Sequence, residues 1–275
     1  MQKNFAEPDR PSARVMPGRD TTLTMVRTAL DRGDVMLAFQ PVVQARRPDR
    51  PAFHEGLIRM VYETGRVIPA KDFISAVEAT DIGRRIDCAA LDLGLTALTE
   101  TPALRLSINM SARSISDARW MRTLTGRLDA DPTLGERLIL EITEASALMM
   151  PATVALFMRS LQARGICFAL DDFGAGATAF RYFKEFGFDI LKIDGQFIRG
   201  IHNDGANQTL TRALISIARH FEMMTVAEFV DSPQDAEFLP RLGVDCMQGY
   251  HFGAPTITPA FRNAAMRSCG TFRTA

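Results

Sequence analysis

The chain has 275 residues, 47% of them apolar and 23% charged, a make-up that suits a globular domain with a sizeable core and excludes a disordered or fibrous chain. Lys plus Arg and Asp plus Glu number 32 each, so net charge provides no field for duplex nucleic acid or an anionic membrane, and a polyanionic ligand must be neutralised locally. No apolar stretch reaches the length of a spanning helix and the N-terminus has no signal-peptide core, so the expectation is a cytoplasmic protein that inserts in no membrane.

Met1 to Asp20 is polar, with Pro8, Pro11, Pro17 and Gly18, and reads as a flexible tail or linker remnant, residues 1–20. Thr21 to Arg32 places Leu23, Val26 and Leu30 at helical spacing. Eight runs rich in Val, Ile, Leu and Phe follow, each predicted as a strand: Met36–Val42, Ala52–Arg59, Leu104–Met110, Leu138–Ile142, Ile166–Asp171, Asp189–Ile193, Met224–Glu228 and Val244–Gln248. Helical patterns lie between most of them. Pro151–Arg164 carries Val154, Leu156, Phe157 and Leu161, and Ala206–Phe221 carries Leu210, Leu214, Ile217 and Phe221. Pro233–Leu242 opens on Ser232 as N-cap with Pro233 at the first helical position. Strands alternating with helices predict a parallel sheet, and eight of them a closed (β/α)8 barrel. The first two runs are joined only by Gln44–Arg50, too short for a crossover helix, so one strand is expected to run against the rest. The four cysteines, Cys88, Cys167, Cys246 and Cys269, are far apart and form no CxxC pair, which predicts reduced thiols.

Many of these runs end in, or contain, a polar or charged residue: Glu55, Asn109, Glu141, Asp171 with Asp172, Lys192, Glu228 and Gln248. Singly, each has an ordinary explanation: a solvated end or helix cap for the acids and Asn109, a snorkelling surface lysine for Lys192, a turn for Gln248 before Gly249. Together they converge, because the C-terminal ends of barrel strands meet on one rim, where active sites sit. Five carboxylates there, Glu55, Glu141, Asp171, Asp172 and Glu228, repel one another and raise each other's pKa unless cations intervene. All-oxygen donors suit hard divalent ions such as Mg²⁺ or Mn²⁺, and a pair of such ions catalyses in-line displacement at phosphorus. Spacing alone leads to a metal-dependent barrel enzyme acting on a phosphate ester.

The ordered series Phe39–Val43 (FQPVV), Glu55-Gly56-Leu57 with Ile58-Arg59, SINMSA, EITE, DDFGAG, LKID, VAEFVD and QGYHFGAP resembles the EAL domain family from about Leu37 to Pro255. The resemblance implies an α/β, TIM-like (β/α)8 barrel with an antiparallel first strand, occupying residues 21–275. It implies hydrolysis of c-di-GMP to linear pGpG with Mg²⁺ or Mn²⁺, two ions in all, and leaves a homodimer open. By motif, Glu55, Asn109, Glu141 and Asp171 are expected around the first metal, and Asp171, Asp172 and Glu228 around the second. Lys192 would orient the attacking water, Glu228 or a neighbouring carboxylate would help take its proton, and Gln248 would complete the water and metal shell. Arg59 and Gln40 are expected at the substrate, Arg59 as a fork on a phosphate. Glu144 would anchor the loop after Asp172.

Three departures from the family pattern stand out. Gly56 occupies a place that Ala or Val commonly fills. Phe229 stands where Gly is usual. In the loop after Asp172, Ala175, Ala177 and Ala179 replace most of the usual hydroxyls, which predicts fewer partners for Glu144 and a slow enzyme with a high metal requirement. The competing expectations are an EAL-like c-di-GMP receptor or protein scaffold with little turnover, and a barrel metallohydrolase for another phosphodiester. The sequence is compatible with a stand-alone enzyme or with a piece of a longer protein.

Overall fold

A connection of two residues, Ala45 and Arg46, sets the topology. The structure, a computed structural model, describes residues 18–62, 64–174 and 185–261. Among these the chain runs α1 (Arg19–Arg32), β1 (Val35–Gln44), β2 (Arg47–Val61), β3 (Val67–Pro69), α2 (Ile74–Val77), α3 (Asp81–Glu100), β4 (Leu106–Asn109), α4 (Ala118–Ala130) and β5 (Leu138–Thr143). It continues through α5 (Glu144–Met149), α6 (Pro151–Gln162), β6 (Cys167–Phe173), β7 (Ile190–Ile193), α7 (Gly195–Ile198), α8 (Gly205–His220), β8 (Met224–Ala227), α9 (Pro233–Leu242) and β9 (Cys246–Met247).

So short a turn forces β1 and β2 to pair antiparallel, from Val35 opposite Met60 to Gln44 opposite Arg47. From β2 the ring continues through β4, β5, β6, β7, β8 and β9, every neighbour parallel. It closes where β9 meets β1, again antiparallel. The expected eight-stranded α/β barrel is therefore present, and β1 alone runs against the other seven. A ninth strand, β3, lies outside the ring and pairs with the end of β2, Arg59 opposite Pro69. Val67–Pro69 is too short to show a period of two, and the sequence reading missed it.

Helices cover the ring from outside, and their ends follow the expected chemistry. Ser232 Oγ accepts from Asp235 N–H at the start of α9, Pro233 fills the first turn, and Gly243 ends the helix at φ 88. The 20-residue α3 also escaped the reading. Thr80 caps it, and its buried stripe includes Ile82, Ile86, Ala90, Leu91, Leu95 and Leu98. It crosses close to the sheet, since a Cβ on Gly94 would lie 2.8 Å from Ile108 Cδ1. The same methyl stands 2.7 Å from a Cβ on Gly56, so Ile108 fills the space that the smaller residue leaves. Two residues expected on buried helix faces are turned outward: Leu156 is 63% exposed and Leu210 48% exposed. On α8 the inner face is made by Thr211, Leu214, Ile215 and Ala218 instead.

Buried side chains fall into two groups. The larger lies between ring and helices and contains Phe73, Leu91, Trp120 and Phe168. The smaller fills the barrel axis: Val42, Phe53, Ile139, Ala169, Ile190, Val226 and Cys246. Cys88, Cys167 and Cys246 are free thiols, while Cys269 lies outside the described residues.

Candidate active site

In a strand, residues two apart share a face. Each axial residue of the smaller core therefore has a counterpart two positions nearer the rim. The pairs are Val42 and Gln40, Phe53 and Glu55, Ile139 and Glu141, Ala169 and Asp171, Ile190 and Lys192, Val226 and Glu228, and Cys246 and Gln248. In β4 the corresponding pair is Ser107 and Asn109. An apolar floor thus carries a polar layer. Only β1 is read in reverse, Gln40 preceding Val42, because it runs the other way. Seven of the sequence-predicted residues are brought together in this layer, and an eighth, Gln40, lies directly opposite Glu55 across the β1–β2 pair.

Lys192 is its centre. The side chain is 1% exposed, and Nζ lies 2.7 Å from Glu141 Oε2, 2.9 Å from Glu228 Oε1, 3.0 Å from Asp171 Oδ1 and 3.4 Å from Glu55 Oε2. Burial works against this charge, yet Asp171, Glu141, Glu228 and Glu55 overcome it and push the lysine pKa well above its ordinary value. The ammonium is therefore fixed in its charged form, and it does not snorkel to the surface.

Four carboxylates around one ammonium do not behave alike. Burial would raise Glu55, but the Lys192 charge and hydrogen bonds from Gln248 and Asn109 hold its pKa below the ordinary value. Gln248 Nε2 donates to Glu55 Oε2 at 2.6 Å, and Asn109 Nδ2 donates to Glu55 Oε1 at 2.8 Å. Asn109 therefore braces a carboxylate, while the cap of the following 3-10 turn is Ser111. Glu141 is pushed up to about 8, by burial first and then by the Glu55 charge. Glu228 is also raised well above its usual value by burial, against the pull of Lys192.

Beside this group stands Asp172, on the exposed side of the rim, raised to about 6 by burial and then by Asp171. Carboxylate oxygens of Asp171, Asp172 and Glu228 all lie within 4.8 Å of one another. The residues after two inward acids, Asp171 near the end of β6 and Glu228 just past β8, have left-handed backbones, Asp172 at φ 54 and Phe229 at φ 54. That conformation costs roughly 1–2 kcal/mol for a residue with a Cβ. The Phe229 ring fits because Gly195 has no Cβ, whose position would be 2.5 Å from Phe229 Cδ2. The Arg199 guanidinium covers the ring at 4.3 Å from its centroid.

The donor set fits a hard cation. Glu141 Oε1, Glu228 Oε2 and Gln248 Oε1 are buried acceptors with no hydrogen-bond donor among the described residues, and buried acceptors of this kind are rarely left unmatched. Oxygen-rich sites with no sulfur or imidazole suit Mg²⁺ or Mn²⁺ rather than zinc.

The remaining predicted residues flank the layer. Arg59 is buried on the part of β2 that overshoots the ring, where β3 braces it, and its Nη1 donates to Ile58 O at 3.1 Å. Gln40 accepts from Gln248 Nε2 at 3.1 Å and donates to Gly253 O at 3.1 Å. Glu144, the first residue of α5, accepts from Gly174 N–H at 3.4 Å. The altered positions Ala175, Ala177 and Ala179 lie outside the described residues. Sequence reasoning missed Ser107, which is fully buried beneath Asn109, and Asp87, an acid on the buried stripe of α3. An acid flanked at helical spacing by Gly83, Ala90, Leu91 and Gly94 was the available signal for Asp87.

Comparison with known proteins gives a consistent family. The model described as EAL domain matches residues 24–255. The cyclic di-GMP phosphodiesterase PdeF of Escherichia coli (strain K12) is 30% identical over 246 residues, which cover 88% of this chain and 32% of that protein. The probable cyclic di-GMP phosphodiesterase PdeA of the same strain is 30% identical over 240 residues, 85% of this chain and 32% of PdeA. The chain thus spans about a third of the length of these relatives. Among solved structures, the PaMucR phosphodiesterase in its c-di-GMP complex superposes with a TM-score of 0.77 at 28% identity, covering 88% of this chain and 99% of that one. The EAL enzyme Bd1971, in a form with cAMP and cyclic-di-GMP bound, has a TM-score of 0.81 at 21% identity over 90% of this chain and 68% of the other, a likeness of fold. No helix among the described residues is long and apolar enough to cross a membrane.

Proposed function

This chain belongs to the EAL domain family, and from that premise we propose that it hydrolyses c-di-GMP to linear pGpG with Mg²⁺ or Mn²⁺ bound in the polar layer. The observation that carries the reading is Lys192 held by four carboxylates at 2.7–3.4 Å directly above an apolar floor. Glu55, Asn109, Glu141 and Asp171 would hold one ion, and Asp171, Asp172 and Glu228 a second. Bound there, such ions supply acidification of a water and neutralisation of charge on the phosphate.

The chain's own groups do the rest. Lys192 is locked in one place and charged, so it donates an N–H to the attacking water and leaves that water's other lone pair free to face phosphorus. Glu228, 2.9 Å from that ammonium, takes the water's proton. The new P–O bond forms as the P–O3′ bond opposite breaks, opening the ring; the released 3′-oxygen takes a proton from solvent, and Glu228 returns the proton it took to solvent. Arg59 holds a phosphate oxygen with its planar fork. Gln248 and Asn109 keep Glu55 ionised and aimed, and Gln40 holds Gln248 in turn. Glu144 ties the backbone at Gly174, two residues beyond Asp172.

A receptor reading rests on one sequence observation, the hydroxyl-poor positions Ala175, Ala177 and Ala179. One experiment separates the two. Metal-free protein is incubated with c-di-GMP alone and with Mg²⁺, Mn²⁺ or Ca²⁺, and both binding and linear product are measured. The expected result is pGpG with Mg²⁺ or Mn²⁺ only, with Ca²⁺ inhibitory. Full turnover in excess chelator overturns the metal assignment, and binding without product under every metal makes the protein a receptor.

A further inference from the structure

Asp87 is a buried acid outside the polar layer. It sits on the inner stripe of α3 with 9% exposure. No lysine or arginine pairs with it among the described residues, and burial raises its pKa to about 6. A buried carboxylate without a counter-ion is less favourable than an apolar side chain of the same size, so packing does not explain it. Its partners do. The Ser111 N–H donates to Asp87 Oδ2 at 2.9 Å, and Ser114 Oγ donates to the same oxygen at 2.5 Å.

Both partners belong to the segment that leaves the barrel just after Asn109. That segment is held from the other side as well. Met110 N–H donates to Glu141 O at 2.9 Å, and Ala112 N–H donates to Ser146 Oγ at 2.8 Å. The exit of β4 is thus clamped between α3 on one side and β5 with α5 on the other. Inside the clamp, Asn109 Nδ2 reaches Glu55 Oε1.

We propose that Asp87 is a positioning residue for the metal-binding layer: by fixing Ser111 and Ser114 it sets the direction in which Asn109 and its partner Glu55 present their oxygens. The inference rests on the reading of Asn109 and Glu55 as metal ligands. Groups that orient ligands from behind are costly to lose, about tenfold or more in metal affinity.

The test uses Asp87→Leu and Asp87→Asn in the full chain, without nucleotide. Leucine fills the space and removes the acceptor. Asparagine can place an amide oxygen where Oδ2 accepts both donors. Two quantities are read: Mn²⁺ affinity, from the electron paramagnetic resonance signal of free Mn²⁺, and hydrogen exchange in the peptide covering residues 110–116. Asp87→Leu is expected to weaken Mn²⁺ about tenfold and to speed exchange at 110–116 while α8 and α9 exchange as before. Asp87→Asn should stay close to wild type in both. A role confined to packing would lower Tm and leave Mn²⁺ affinity unchanged, and that result overturns the proposal. So does unchanged exchange at 110–116. If Asp87→Leu does not fold, Ser114→Ala removes one of the two contacts from its other end, and it is held to the same two outcomes in direction, at smaller size. A wild-type chain that binds no Mn²⁺ defeats the metal assignment and the proposal for Asp87 with it, whereas failure in the variants of a chain that does bind Mn²⁺ defeats the proposal alone.

Discussion

Replacing Lys192 by methionine keeps the length of the side chain and deletes the one positive charge among Glu55, Glu141, Asp171 and Glu228. Breaking a buried ion pair by removing one partner costs about 3–5 kcal/mol. Here the loss falls toward the lower end, because Glu141, already at about 8, and Glu228, raised well above its usual range, take up protons readily and relieve part of the repulsion. About 3 kcal/mol corresponds to a fall in Tm of roughly 10 °C for a chain of this size. The fall should be seen in chelator and should shrink when Mn²⁺ is added, since any cation that binds the folded state among those carboxylates stabilises it. Catalysis should suffer separately. If the ammonium acts on the attacking water, kcat should drop about 10²-fold or more with KM little changed. Thermal melts with and without Mn²⁺, and steady-state kinetics with c-di-GMP at saturating metal, measure both effects. A variant with wild-type kcat and a raised KM would refute the assignment of Lys192 to the water and place it at the substrate.

Glu55→Ala should abolish turnover and weaken Mn²⁺ binding, because it removes the carboxylate on which Gln248, Asn109 and Lys192 converge; product formation at an appreciable rate would show that Glu55 is not a ligand. Gly249→Ala should destabilise the fold by roughly 1–3 kcal/mol or more, since a Cβ there would stand 2.1 Å from Val230 O, a backbone atom with no rotamer to escape into; an unchanged midpoint in urea would contradict that contact. Asp87, raised to about 6, binds its proton more tightly folded than unfolded, so its contribution to stability falls as pH rises from about 4 to about 6 and is level above that. The stability of wild type relative to Asp87→Asn, from urea melts in chelator, should therefore decline over that window; a constant difference from pH 4 to 7 would show that the carboxyl does not titrate there.

Most of the barrel was legible because its strands are apolar on both faces and stand out as runs, and because Gln44–Arg50 is too short for anything but a hairpin. The polar layer was legible for the same reason: a charged residue inside a run such as DILKID is conspicuous. Its geometry was not. Nothing in the spacing says that Lys192 is surrounded rather than exposed, because that depends on four strands distant in sequence meeting at one level. The 20-residue α3 was missed since Gly83, Asp87 and Gly94 interrupt its apolar stripe, and all three interruptions go with close contacts, Gly83 with Glu78, Asp87 with Ser111 and Ser114, and Gly94 with Ile108. Leu156 and Leu210 misled in the opposite sense, being apolar at helical spacing yet exposed.

The apolar plug formed by Val42, Phe53, Ile139, Ala169, Ile190, Val226 and Cys246 has a kinetic consequence for a site used in the way proposed. It closes the barrel axis behind the polar layer, so that layer would be approached from the rim side. In the proposed reaction ions, water and nucleotide would then share one approach. A nucleotide lying across the rim would cover any ions held by the carboxylates beneath it, so metal would have to bind before substrate. Turnover in dilute metal would then be governed by this order of arrival as much as by the breaking of the phosphodiester bond.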